Sequence, residues 1–114
     1  MQTNDIELEY KWEQLGKRLK TVTNKIPDMN AILFLIGVQE LGQGARNYTK
    51  EQKQDLMHIA VCRLLEPLGY YELESQDADG WPHYKLCKAL PQFDLLSQEK
   101  LLKMQVLEYF EHIL

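Results

Sequence analysis

The most constraining feature of this sequence is an unbroken apolar run, AILFLIGV, from Ala31 to Val38. A membrane-spanning helix needs roughly 20 apolar residues, so this shorter run is expected in a protein core. Asp28 is a good cap before it, and Gly42 opens the loop after it. A helix that is apolar on nearly all faces belongs at the centre of a bundle. The sequence therefore predicts a central helix that ends near Leu41.

The N-terminal segment predicts a long amphipathic helix. Asn4 is placed to cap its start, and Glu7 stands at the capping-box position. Pro27 disfavours helical backbone at Ile26, where we expect the helix to stop. The apolar residues recur at steps of three and four and so form one stripe: Leu8, Trp12, Leu15, Leu19, Val22 and Ile26. The stripe is narrow enough to suit a partner helix.

Two more helices are predicted after the central one. Thr49 and Gln52 form a capping box for a helix that Pro67 and Gly69 terminate. Ser97 is the predicted cap of the last helix. The stripe of the last helix is Leu102, Val106, Tyr109 or Phe110, and Ile113. Together these segments predict a mainly α, four-helix bundle-like single domain over residues 1–114.

The segment at residues 70–90 has two interpretations. Asp79-Gly80 is a hairpin turn signal between two limbs with β-forming residues. The second limb also fits a helix with Pro82 in its first turn. We predict a short β-hairpin or extended arm, and the helix stays open as the alternative.

Composition narrows the class of protein. The 114 residues carry 13 basic against 17 acidic side chains, a net charge of −4, so nucleic acid is not expected as a partner. The polar N-terminal residues lack the basic and apolar regions of a secretory signal, and no membrane partner is expected. Cys62 and Cys87 form no disulfide framework. We therefore expect reduced thiols and a cytoplasmic location.

Two His-x3-Cys pairs are the sharpest chemical pattern. On a helix, His58 would share a face with Cys62, and His83 with Cys87. Two such pairs would make a tetrahedral His₂Cys₂ set that suits zinc, the one cofactor this sequence suggests. The competing interpretation is that both cysteines are core residues, because cysteine behaves as a small buried hydrophobe.

A small-ligand rim is a second candidate site. Trp81, His83 and Tyr84 lie beside an acidic turn and could line a pocket. The alternative is that Trp81 and Tyr84 cover the edge of the bundle. The sequence contains no glycine-rich phosphate loop, no GxSxG and no HExxH, so we assign no catalytic residues and do not expect an enzyme.

A winged-helix DNA-binding protein is a further alternative. The order of two helices and then a hairpin matches that fold. The third helix would expose Lys50, Lys53 and Arg63 to DNA. The tip of the wing, residues 77–79, reads Asp-Ala-Asp and would face phosphate with the wrong sign of charge.

Three strings carry a family resemblance: LFLIGVQELGQG at residues 33–44, DLMHIAVCRLL at 55–65 and DGWPHY at 79–84. They resemble a small uncharacterised bacterial protein family, over most of the chain from about residue 30. The resemblance implies a bacterial cytoplasmic protein and carries no activity, cofactor or substrate.

The function predicted from these features is association without catalysis. The stripes of the first and last helices exceed what one short central helix can cover. We therefore expect a small protein–protein or self-association module, with a homodimer as its form. The metal or small-ligand site and the DNA-binding protein are the alternatives.

Overall fold

The computed structural model describes residues 5–92 and 94–113. These residues form four α-helices and a two-stranded antiparallel hairpin, which confirms the predicted mainly α fold. The elements are α1 (Asp5–Thr23), α2 (Met29–Leu41), α3 (Lys50–Leu65), β1 (Tyr71–Gln76), β2 (Pro82–Leu86) and α4 (Leu95–Ile113). In the described part of the chain, no helix combines the length and apolar character that a bilayer crossing requires.

The chain divides into two compact units. The α1–α4 unit contains the first and last helices. The hairpin unit contains α2, α3, β1 and β2, and spans residues 29–91. One domain over residues 1–114, with all four helices around α2, stays a prediction.

Local signals set both ends of α3. The Thr49 hydroxyl accepts a hydrogen bond from the Gln52 N–H at 3.1 Å, and the Gln52 side chain accepts one from the Thr49 N–H at 2.9 Å. This reciprocal pair is the predicted capping box. After Leu65 the chain makes one 3₁₀ turn and leaves it at Gly69, whose φ of 83° is the left-handed conformation that glycine favours.

The core of the hairpin unit lies between α2 and α3. Its central cluster comprises Leu41, Tyr48, Leu56 and Ile59, with Phe34, Val38, Trp81 and Tyr84 packed against it. Ile36 of α2 is fully buried, as is Leu56 of α3. The loop between the two helices is held by the Tyr48 hydroxyl, which donates to the Gly44 carbonyl at 3.0 Å.

The predicted hairpin at 70–90 is confirmed, and the helical alternative for its second limb does not occur. The register pairs Leu73 with Tyr84, and a bulge separates Leu73 from Ser75. The turn between the strands closes at Gly80, whose φ is 86°. This is the conformation that an Asp-Gly turn signal anticipates.

The end of α1 differs from the prediction. The helix ends at Thr23, before the predicted stop at Ile26. Asn24 adopts a left-handed conformation with φ of 69°, and its N–H donates to the Lys20 carbonyl. An asparagine in this conformation ends a helix in the way a C-terminal glycine does, so the chain leaves the helix before Pro27 acts on it.

The start of α4 also differs. The helix begins at Leu95, two residues before Ser97, the predicted cap. The carboxylate of Asp94 accepts a hydrogen bond from the Ser97 N–H at 2.8 Å, so Asp94 caps the helix. The predicted cap of α1, Asn4, lies outside the described residues.

Candidate functional site

The first His-x3-Cys pair lies on one face of α3, as the helical spacing predicts. The Cys62 sulfur is 3.5 Å from Nε2 of His58, and the His58 ring stacks edge-to-face on Tyr71. Cys62 is fully buried, and this burial raises the pKa of its thiol to about 11. The thiol is therefore protonated near neutral pH, so Cys62 serves as a small core residue rather than a nucleophile.

The second pair is not helical. His83 lies within β2 and Cys87 directly follows that strand. Residues four apart on an extended strand are separated by about 13 Å. Nε2 of His83 lies 3.0 Å from Oδ2 of Asp77, whereas the Cys87 thiol faces a carboxylate oxygen of Glu72 at 3.7 Å.

The four predicted zinc ligands do not meet in one place. Over residues 5–92 and 94–113, no group of three or more histidine, cysteine, aspartate or glutamate side chains is arranged to hold a metal ion. His58 and Cys62 form one pair, and His83 pairs with Asp77 instead of with a cysteine. The zinc site stays a prediction from spacing, and the geometry adds nothing to it.

The residues of the predicted ligand rim divide between the core and the turn, since Trp81 and Tyr84 pack on the core whereas His83 contacts Asp77. Trp81 packs edge-to-face on Tyr48 with 6.4 Å between ring centroids, and both Trp81 and Tyr84 pack on the core of the hairpin unit. Burial, with Glu66 and Glu40 adding to it, raises the pKa of Tyr84 to about 12. Two of the three rim residues thus cover the core, which is the arrangement expected of the competing interpretation.

Asp77 organises the hairpin turn, and the sequence analysis did not single it out as the partner of His83. One of its carboxylate oxygens accepts hydrogen bonds from the N–H groups of Asp79 and Trp81, at 2.9 and 3.0 Å. The His83 hydrogen bond lowers the pKa of Asp77, and the two backbone bonds act in the same direction. The signal in the sequence was the position of Asp77, two residues before Asp79. At this spacing an aspartate side chain can accept a hydrogen bond from the backbone N–H and form an Asx turn.

In the α1–α4 unit the two helices run parallel. Lys100 pairs with Asp5 at 2.6 Å, and Lys103 pairs with Glu9 at 2.8 Å. Moving from the first ion pair to the second increases the residue number on both helices, from Asp5 to Glu9 and from Lys100 to Lys103. The two helices are therefore parallel. The Lys103 ammonium also lies 5.4 Å from the centre of the Trp12 ring, so one lysine joins the helices by charge and by a cation–π contact.

Beyond these contacts the helices leave an open groove of about 430 Å³, here called the α1–α4 groove. Its lining is Tyr10, Lys11, Gln14, Leu15, Arg18, Leu107, Phe110 and Glu111. A second depression continues it and shares Lys11, Leu107 and Glu111, adding Leu8, Met104, Glu108 and His112. The groove therefore has an apolar floor and charged rims.

Large apolar side chains are exposed along both helices of this unit. Val22 is 70% exposed, on the same row of α1 as Lys11, Leu15 and Arg18. Elsewhere on the unit the exposed side chains include Ile6, Tyr10, Leu95, Leu96 and Ile113. Single exposed apolar residues are ordinary on a protein surface, and it is contiguous apolar patches that mark interaction surfaces.

No protein-family model, no curated protein and no solved structure matches this chain. The resemblance of the three strings to a bacterial family therefore rests on those strings alone.

Proposed function

We propose that this protein is a small self-association module without catalytic activity, that it works as a homodimer, and that the α1–α4 unit supplies the interface. The observation that carries the proposal is the α1–α4 groove, an apolar channel left open between two parallel helices. Exposed apolar surface contributes roughly 25 cal/mol for each Å² that a partner buries.

A second copy of this chain is the occupant that the groove suits. Two helices from each copy would complete a four-helix arrangement, in which every helix packs against two neighbours. The half-buried side chains of Met104 and Leu107 would then be covered, together with exposed Val22.

The charges of the hairpin unit support a protein partner rather than DNA. Asp77 and Asp79 lie at the exposed tip of the hairpin, where a wing would approach phosphate. Arg63, on the predicted reading helix, already pairs with Glu40 at 3.3 Å and with Glu66 at 3.9 Å. Phosphate contacts supply most of the affinity for DNA, and pairing of Arg63 with two carboxylates leaves Lys50 and Lys53 as the cations that this helix could offer to them.

A cytoplasmic location is part of the proposal. Cys62 and Cys87 are both free thiols, and Cys87 is exposed. An exposed unpaired thiol is typical of a reducing compartment. Mass spectrometry of the protein isolated from its native cells, with thiols blocked at lysis, should find Cys87 reduced, and a mixed disulfide there would contradict this location.

Light scattering at micromolar concentration tests the dimer. We expect a mass of about twice the 13.4 kDa of one chain, and a monomer mass would refute the proposal. Val22→Lys places a charge one helical turn beyond Arg18, the last α1 residue that lines the α1–α4 groove, and should give a monomer. It should not harm α1, because a cation near a helix C-terminus is favourable.

Leu90→Lys is the matched control, since Leu90 is an exposed apolar residue of the hairpin unit. It should leave the dimer mass unchanged. If Leu90→Lys gives a monomer and Val22→Lys does not, the interface lies outside the α1–α4 unit. Circular dichroism of both variants separates a lost interface from a lost fold.

A further inference from the structure

The charges along the α1–α4 groove are segregated by helix. On α1, Lys11 and Arg18 are exposed and seven residues apart, so they lie on one row. On α4, Glu108 and Glu111 are exposed and three residues apart, so they also share a face. The α1 rim of the groove therefore carries two cations, and the α4 rim carries two carboxylates beside His112.

These charges are largely unused within one copy. Among the described residues, Arg18, Glu108 and Glu111 have no ion pair. Lys11 pairs only with Glu7, one turn earlier on the same helix, and both side chains are more than half exposed. By contrast, the charges at the N-terminal ends of α1 and α4 are paired between the two helices.

We infer that, in the proposed homodimer, the basic row of α1 in one copy lies on the acidic row of α4 in the other. A two-fold dimer uses the same surface from both copies, so each contact occurs twice with the roles exchanged. If α1 of one copy lay on α1 of the other, Lys11 and Arg18 would face basic side chains. If α4 lay on α4, Glu108 and Glu111 would face acidic side chains. Only the crossed arrangement sets opposite charges together at both contacts.

The same pattern disfavours an unrelated partner that carries one sign of charge. An acidic helix would be attracted to the α1 rim and repelled by the α4 rim, and a basic helix would meet the reverse. Repulsion between like charges disfavours wrong partners, and attraction between opposite charges fixes the register of the right one. A second copy carries both signs in the required order. This inference rests on the proposed function, because it assigns the partner surface of the same groove.

Two charge-reversed variants test the crossed arrangement. The first, Lys11→Glu with Arg18→Glu, makes both rims acidic. The second, Glu108→Lys with Glu111→Lys, makes both rims basic. Each variant alone should raise the dimer Kd at least about tenfold, because its two copies then present like charges. An equimolar mixture should form a heterodimer with a Kd close to that of the unaltered protein. Lys50→Glu with Lys53→Glu, on α3 of the hairpin unit, is the control and should not change the Kd.

The outcomes distinguish this inference from the proposal beneath it. A monomeric unaltered protein overturns both. If the unaltered protein and both variants dimerise equally well, self-association stands and the crossed arrangement is wrong. It is also wrong if the mixture stays monomeric while each variant is folded. Should either variant fail to fold, the salt dependence of the unaltered dimer decides: its Kd should rise with ionic strength, and a constant Kd overturns the inference.

Discussion

Gly37 of α2 lies directly against the backbone of Leu56 in α3. A Cβ at position 37 would stand 2.7 Å from the carbonyl carbon of Leu56 and 2.9 Å from its Cβ, with the carbonyl oxygen nearer still. Backbone atoms cannot turn aside as a flexible side chain can. The two helices therefore reach their packing distance only because residue 37 has no side chain, and this contact sets the core of the hairpin unit.

Gly37→Ala should separate α2 from α3. Overpacking of this kind usually costs about 1–3 kcal/mol, and we expect the upper part of that range because the obstacle is backbone. The free energy of unfolding in urea measures it.

Gly16→Ala is the control, since its added Cβ would meet only the Cγ2 methyl of Ile26, at 2.9 Å, which is a side-chain atom of an exposed residue and not backbone. That variant should change stability by no more than about 1 kcal/mol. Equal stabilities for Gly37→Ala and the unaltered protein would show that the helices are not held at this contact.

The elements that sequence predicts well are those whose signals lie next to each other in the chain. The Thr49–Gln52 capping box needs only residues one turn apart, and it forms as expected. Asp79-Gly80 similarly anticipates the hairpin turn. In both cases the backbone groups that need partners find them within a few residues, so no long-range packing decides the outcome.

The features that were not predicted from the sequence are of two kinds. Some depend on which of two neighbouring residues ends or caps a helix, and others depend on contacts between residues that are far apart in the chain. Asn24 ends α1 although Pro27 is the stronger signal, because the left-handed residue comes first in the chain. Asp94 rather than Ser97 caps α4, and both are good caps by type. The parallel pairing of Lys103 with Glu9 joins residues far apart in sequence, where spacing carries no information.

The two cysteines should differ sharply in reactivity. Cys62 is fully buried with its pKa raised to about 11, whereas Cys87 is exposed. Below pH 9, a thiol reagent should label one cysteine rapidly and the second only when the protein unfolds, because the thiolate is the reactive form. Cys87→Ser should remove the rapid phase and leave the slow one. Rapid labelling of that variant would mean that Cys62 is accessible.

Tyr84 should make the protein sensitive to alkali. Its pKa is raised to about 12 in the folded state from the usual 10.0, chiefly by burial. Because the folded state favours the neutral phenol, this group stabilises folding. Its contribution is fully present below pH 10 and is lost as the pH rises towards 12. After discounting for partial exposure, we expect it to be about 1 kcal/mol.

Tyr84→Phe should therefore flatten the fall in the free energy of unfolding between pH 10 and 12. Tyr10→Phe removes an exposed phenol from α1 and serves as the control. If the two variants lose stability along the same curve as the unaltered protein, ionisation of Tyr84 is not linked to folding.

The Asp77–His83 pair should be visible in a carboxyl titration. The hydrogen bond from His83 is the largest cause of the lowered pKa of Asp77, and the bonds from Trp81 and Asp79 add to it. The ionised carboxylate therefore stabilises the turn above pH 3.8, its usual pKa, and that stabilisation is lost as the pH falls through the lower folded value. In His83→Ala, the carboxyl signal of Asp77 followed by NMR should titrate closer to pH 3.8 than in the unaltered protein.

Asp94 is the internal control for that titration. Its pKa is also lowered, but by hydrogen bonds from Ser97 at the start of α4. It should titrate at the same pH with and without the His83 imidazole, because the hydrogen bonds that lower its pKa come from Ser97. If the Asp77 signal does not move in His83→Ala, then the backbone N–H groups of Trp81 and Asp79 hold the carboxylate in its ionised form by themselves. The imidazole would then contribute nothing to the turn.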